Sequence, residues 1–360
     1  MDPTIAKRID DLRTAIATIE LDAILVTGID SVRRWTGFTG SSGALVVTAT
    51  QAVFATDSRY TTVAEEQCPG FDLHLVAKPM PEELAAIVQA AGAKRVGFED
   101  NIITAKMFSR YQEVFGDGVK LIPVGSLIDN LRLVKDEDEI AAVKRACAVA
   151  DQTWHHILPY LSPGAIERDV MLELEWYIRK SCRAEVAFDT IVASGARSAL
   201  PHGRPSEKVF EAGDFVTLDF GARVDGYNSD ITRTVVLGPA SDEQRKVYTT
   251  VREALYKSIE AIKPDVTGKS IDAVGRDLIT TAGYGEYFGH GLGHSLGRAV
   301  HDGEGLSTRS SITLQTGMIM TVEPGIYIPD WGGVRIEHDV VVTDSGCIQL
   351  DKSATELLEL

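Results

Sequence analysis

Four carboxylates sit in stretches that otherwise read as apolar β-strand. In Phe215–Phe220, strand alternation puts Val216, Leu218 and Phe220 on one face and Asp219 on the other. Asp225-Gly226 is a tight-turn signal, and the returning run Asn228-Ser229-Asp230-Ile231-Thr232 carries a second acid, Asp230. A turn centred there sets Asp219 and Asp230 nearly opposite each other. The arrangement recurs with Glu323 in Met320-Thr321-Val322-Glu323-Pro324 and Glu337 in Val334-Arg335-Ile336-Glu337. Their midpoint is residue 330, inside the turn-forming run Pro329-Asp330-Trp331-Gly332-Gly333. Like charges facing each other across a ladder destabilise it unless a cation lies between them. Four such acids cannot all be buried and ionised without one. The competing reading has them facing solvent on the open side of the sheet.

Histidine sharpens the choice. His290-Gly291-Leu292-Gly293-His294 is too glycine-rich for a helix and reads as a turn or strand with close backbone approach. One imidazole with four carboxylates is an oxygen-rich donor set that suits Mn²⁺, Co²⁺ or Fe²⁺. It is not the HExxH pattern of a mononuclear zinc protease. Two divalent ions about 3.5–4 Å apart are a standard hydrolytic device.

The elements that must position these groups fall into two parts. The chain has 360 residues, which predicts two domains or one large one. Residues 1–128 alternate strand and helix: a helix over 5–20, a strand at Ala23–Thr27, a hairpin from Ala44–Thr48 and Ala52–Thr56, a strand at Val96–Glu99 and a helix near 104–115. The pattern breaks around Pro123–Asn130. In 129–360, helices are expected after Asp136-Glu137-Asp138-Glu139, after Ser162-Pro163-Gly164, and over Ser241–Ile262 and Ser270–Ala282. Strands are expected at Phe188–Val192, Phe215–Phe220, Ile231–Leu237, Ile319–Tyr327 and Val334–Val342. Helices interspersed with hairpins predict an α+β domain with antiparallel sheet.

Charge divides the same way. Residues 1–128 carry 12 basic and 16 acidic side chains, and 129–360 carry 24 and 36, along with seven of the eight histidines. An acidic solvated surface or carboxylates gathered around cations would each give that tally. The overall net charge of −16 argues against a nucleic-acid partner. No apolar run reaches the length of a membrane helix, and the start lacks a signal-peptide pattern. Four scattered cysteines without a CxxC pair suit a reducing cytoplasm.

Seven motifs in order carry a resemblance: Phe188–Gly195, Ala199-Leu200-Pro201-His202-Gly203, Asp219-Phe220-Gly221-Ala222, Ser229–Thr234, His290–His294, Val322-Glu323-Pro324-Gly325 and Val334-Arg335-Ile336-Glu337. Together they closely resemble the pita-bread metallopeptidases, and among them the Xaa-Pro peptidases (prolidase and aminopeptidase P). Thr36-Gly37-Phe38-Thr39-Gly40 more loosely resembles that family's creatinase-like N-terminal domain. The resemblance implies a pita-bread catalytic domain over 129–360 behind a creatinase-like α/β domain over 1–128. It implies two divalent ions, Mn²⁺ foremost with Co²⁺, Zn²⁺ or Fe²⁺ as alternatives, held by Asp219, Asp230, His294, Glu323 and Glu337. His202, His290 and His301 match the non-ligand histidines, and Arg335 matches an arginine that orients carboxylates. The implied reaction is metal-assisted hydrolysis of the bond before proline. Glu323 would move the proton to the leaving nitrogen, while His290 and His301 hold the substrate. Proline-containing peptides are the implied partners, and a homodimer is the implied assembly.

Within that reading a dipeptidase and an aminopeptidase stay balanced. Many dipeptidases of this kind carry an arginine a few residues after the His-acid pair. Here His301-Asp302 is followed by Gly303-Glu304-Gly305, with Arg298 as a substitute. A methionine aminopeptidase-like enzyme and a non-catalytic peptide- or protein-binding module are the alternatives. His155, His156, His338 and His74 read as structural. Trp35 and Phe38 read either as core or as a loop that closes a partner's site.

Overall fold

The computed structural model describes residues 1–360 and divides into two compact units, Met1–Arg132 and Leu133–Leu360. The division falls four residues after the expected boundary because the helix Gly125–Leu133 runs across it.

The first unit is a six-stranded mixed sheet. Its spatial order is Asp72–Leu75, Ala52–Thr56, Ala44–Thr48, Ala23–Val26, Arg95–Phe98, Lys120–Pro123. The central strand Ala23–Val26 is wholly buried and splits its side chains by alternation. Ile24 and Val26 pack with Ile9, Leu12 and Ile16 of the helix Pro3–Thr18, whereas Ala23 and Leu25 pack with Leu84, Val88 and Tyr111 on the opposite face. A strand covered on both faces reads as a continuous apolar run, which is why it was legible. The strand Asp72–Leu75 and the helices Ile29–Thr36, Thr61–Gln67 and Met80–Ala90 were not expected. The strand and the first two helices are short or lie at the sheet edge, where the apolar pattern is weak, whereas Met80–Ala90 packs Leu84 and Val88 on the central strand. Trp35 and Phe38 are core residues, each 1% exposed.

The second unit combines four long helices with antiparallel strands, an α+β arrangement. Asp136 and Glu139 form a reciprocal cap that starts the helix Glu137–Ile157; Ser241 and Gln244 do the same for Asp242–Ala261. The expected strand Phe188–Val192 forms instead at Ile191–Ser194. Each of the two long expected strands is broken. Ile319–Val322 and Gly325–Ile328 flank Glu323-Pro324, and Gly332–Arg335 and His338–Val342 flank Ile336-Glu337. No helix is long and apolar enough to cross a membrane.

Candidate metal centre

The hairpins deliver their acids as anticipated in one case and shifted in the other. Gly325 pairs with Arg335 and Val322 with His338, so the same register places Glu323 opposite Glu337 in the gap between the paired segments. Their backbones turn to third partners there. The Glu323 N–H donates to Leu292 O at 2.8 Å, and the Glu337 N–H to Thr232 O at 3.2 Å. In the first hairpin, Asp219 pairs with Thr232 rather than Asp230. The turn is centred between Asp225 and Gly226, both at positive φ, one residue later than the symmetric pairing of the acids requires. Asp219 and Asp230 are therefore diagonal neighbours on one face.

His294 arrives along the strand Ile319–Val322. Its carbonyl accepts from Thr321 N at 2.8 Å, and its own N–H donates to Thr321 Oγ1 at 3.0 Å. Gly293 is required by this approach, because a Cβ would collide with the Thr321 carbonyl.

All nine residues singled out in the sequence line one cavity of about 530 Å³: His202, Asp219, Asp230, His290, His294, His301, Glu323, Arg335 and Glu337. Ligand atoms of Asp230, His294 and Glu337 lie within 4.8 Å of one another. The His294 Nε2 is 3.5 Å from Asp230 Oδ2 and 3.6 Å from Glu323 Oε1. Burial pushes the Asp230 carboxyl well above the usual range, and Glu337 and Asp219 beside it push further the same way. Burial and the charge of Glu323 do likewise to Glu337. Asp219 Oδ1 is buried without a hydrogen-bond partner. Crowded, underbonded acids with one imidazole fit a divalent cation.

Around them runs a chain of donors. Arg335 Nη2 donates to Asp219 Oδ2 at 2.6 Å, its Nε to Thr232 Oγ1 at 3.0 Å, and its Nη1 to Tyr327 Oη at 2.9 Å. Thr232 Oγ1 donates in turn to Glu337 Oε2 at 2.6 Å. Since Tyr327 accepts from Arg335, its own proton faces His290 Nε2 at 2.9 Å. His290 Nδ1 donates to Gly291 O at 2.7 Å. Both nitrogens of His290, which lines the cavity, are thus engaged inside the protein. His301 stacks on His294 at 4.1 Å between ring centroids. Burial, then the neighbouring His294, holds its pKa below the ordinary imidazole range.

Sequence reasoning missed Thr232, Tyr327 and Asp339, whose Oδ2 accepts from Asp230 N at 2.9 Å. Thr232 was findable, because it lies two residues from Asp230 and so on the same strand face. Arg298 does not reach the cavity. Its guanidinium lies over the Tyr227 ring at 4.5 Å, and its Nε donates to Tyr227 Oη. Gly305 cannot be replaced by an arginine on this backbone, since a Cβ there would lie 2.5 Å from Gly293 O and His294 Cα. The structural histidines are occupied elsewhere: His338 by Asp351, His156 by Glu173 and His74 by Glu83.

Residues 141–344 match the model of metallopeptidase family M24, and residues 8–134 match that of the creatinase/prolidase N-terminal domain. The uncharacterized peptidase YqhT of Bacillus subtilis is 45% identical over 353 residues, 98% of this chain and 100% of that one. A solved Xaa-Pro dipeptidase from Bacillus anthracis is 44% identical with a TM-score of 0.95, covering 99% of this chain and 100% of that one. An X-Pro aminopeptidase structure from Thermotoga maritima is 37% identical with a TM-score of 0.89, covering 96% and 100%. The chain belongs to metallopeptidase family M24. Its fold is the α+β pita-bread catalytic unit behind a creatinase-like domain, and divalent metal is the cofactor class that family membership implies.

Proposed function

We propose that this protein is a metal-dependent Xaa-Pro exopeptidase, hydrolysing the bond between an N-terminal residue and a following proline. The observation that carries the reading is the convergence of five oxygen- and nitrogen-donor side chains with His202 and His301 on a single cavity in a family M24 chain. Asp219, Asp230, His294, Glu323 and Glu337 would hold two ions, with Mn²⁺ the first choice for so oxygen-rich a set. Bound ions would supply positive charge for the developing oxyanion and acidify water at neutral pH. Glu323 accepts a proton and returns it to the proline nitrogen as that bond breaks. His202 and His301 present ring nitrogens to the substrate carbonyl. Tyr327 locks His290, and Arg335 orients Asp219. A methionine aminopeptidase-like enzyme would leave the creatinase/prolidase domain at 8–134 unexplained.

The lining favours peptides longer than two residues. Its one guanidinium, Arg335, is spent on Asp219, and a dipeptide's carboxylate needs another cation. Outside the lining, Arg204 lies 3.7 Å from the rim residue Asp189. Hydrolysis of Ala-Pro and Ala-Pro-Ala by apoprotein, with and without added Mn²⁺, tests both levels. Metal-dependent cleavage of the tripeptide is the expected result, and cleavage of Ala-Pro that is lost in Arg204→Gln would assign the dipeptide reading to that side chain. No cleavage of either peptide with metal would return the binding-module alternative. The free cysteines accord with a cytoplasmic location. The creatinase-like unit is the proposed dimerisation element, which light scattering checks.

A further inference from the structure

Glu167 opens the helix Glu167–Trp176, is 0% exposed, and lies outside the cavity lining. It gathers both ends of one loop. Oε1 accepts from Ser194 N at 2.8 Å and Ser194 Oγ at 2.9 Å. Oε2 accepts from Ser206 N at 2.9 Å and Ser206 Oγ at 2.6 Å. Arg197 Nε adds a charged donor 3.1 Å from Oε2. Five donors converge on one carboxylate, engaging both of its oxygens.

Between Ser194 and Ser206 the chain forms the short 3₁₀ turn Gly195–Ala199 and then reaches Pro201 and His202, both lining the cavity. The crown of the loop is tied to the same clamp. Arg197 Nη2 donates to Arg204 O at 2.6 Å, so the guanidinium held by Glu167 also holds the backbone two residues past His202. On the other side, Arg335 Nη1 donates to Pro201 O at 3.2 Å.

We infer that Glu167 is the positioning residue for His202: by pinning Ser194, Arg197 and Ser206 to one carboxylate, it sets where the imidazole enters the cavity. This rests on the assignment of His202 to the reaction made above. Glutamine at 167 keeps the shape but turns an NH₂ group toward the Ser206 or Ser194 N–H, leaving donors facing donors.

A double-mutant cycle of Glu167→Gln and His202→Ala in the Mn²⁺-loaded protein tests the inference, using Ala-Pro-Ala hydrolysis, metal content and thermal midpoint. The expected result is a kcat/KM loss of roughly 10- to 100-fold for E167Q with metal content unchanged, the scale of a displaced site group. In the H202A background the same substitution should cost almost nothing further. A second readout needs no turnover. In metal-free protein the His202 imidazole resonance, identified by its loss in H202A, should shift in E167Q. Equal losses in both backgrounds would reduce Glu167 to a structural residue and overturn the inference, as would an unmoved resonance. Full activity of H202A would overturn the assignment of His202 instead, and a parent protein that cleaves nothing would overturn the peptidase reading; the inference falls with either. Should E167Q fail to fold, Ser206→Ala runs the same cycle with a loss of a few-fold expected, and no loss counts against the clamp.

Discussion

Glu99 in the first unit and Asp230 in the second are both nearly buried, at 2% and 5% exposure, yet their surroundings are opposite. Glu99 accepts from Thr27 N at 2.6 Å, Gly28 N at 2.8 Å and Ser31 Oγ at 2.6 Å. Three donors answer one charge, and the strand Arg95–Phe98 is thereby tied to the start of the helix Ile29–Thr36. Asp230 faces Glu337, Asp219, Asp339 and Glu323. Burial alone therefore does not mark a metal centre; an acid surrounded by donors is a structural tie, and an acid surrounded by acids awaits a cation. Glu167 shows the first pattern inside the second unit, so the contrast follows function and not domain.

The largest test of this contrast is Asp230→Asn. It should lower kcat/KM by more than about 100-fold, beyond the roughly 10- to 100-fold cost of losing an outer partner. Bound metal per chain should fall with it, while the thermal midpoint of the metal-free protein rises because repulsion with Glu337 and Asp219 is relieved. Metal analysis and calorimetry check both signs, and a metal-free variant less stable than its parent would contradict the repulsion argument. Tyr327→Phe removes the hydroxyl shared by Arg335 and His290 and should cost roughly 10-fold in kcat/KM, at the low end for such partners. Steady-state kinetics at saturating Mn²⁺ read it directly.

Glu99→Gln should do the reverse of D230N, with kcat/KM and metal content retained and stability lowered by about 1–3 kcal/mol through mismatched buried donors. Urea denaturation measures it. The smallest effect belongs to Glu83, whose carboxylate accepts from His74, Ala77 N and Lys78 N. The His74 hydrogen bond, then those backbone donors, draws its pKa down from 4.5 to about 2. An acid with a depressed folded-state pKa contributes stability above its unfolded value and loses it as pH falls toward the folded one. Stabilities of wild type and Glu83→Gln should thus differ at pH 5 and converge near pH 2, and a gap constant with pH would refute that source.

Much of the site was legible because it lies in hairpins. Alternation within Phe215–Phe220 isolated Asp219, and the symmetry of Glu323 and Glu337 about residue 330 survives as their register. Legibility ended where a single residue of turn placement mattered. The shift at Asp225-Gly226 moved Asp219 from Asp230 to Thr232. It ended again at Ile336-Glu337 and Glu323-Pro324, where apolar runs that read as continuous strands break to pair with other segments.

By itself, the order of residues determined which acids and imidazoles exist, which strand faces carry them and which turns reverse the chain, because those depend on neighbours a few residues apart. Tertiary structure alone decided that Arg298 rests on Tyr227, that Gly305 abuts the backbone of His294, that Tyr327 occupies Nε2 of His290, and that Glu167 gathers a loop 27–39 residues downstream. Each joins groups far apart along the chain, and their meeting is set by how helices and sheets pack rather than by any local preference.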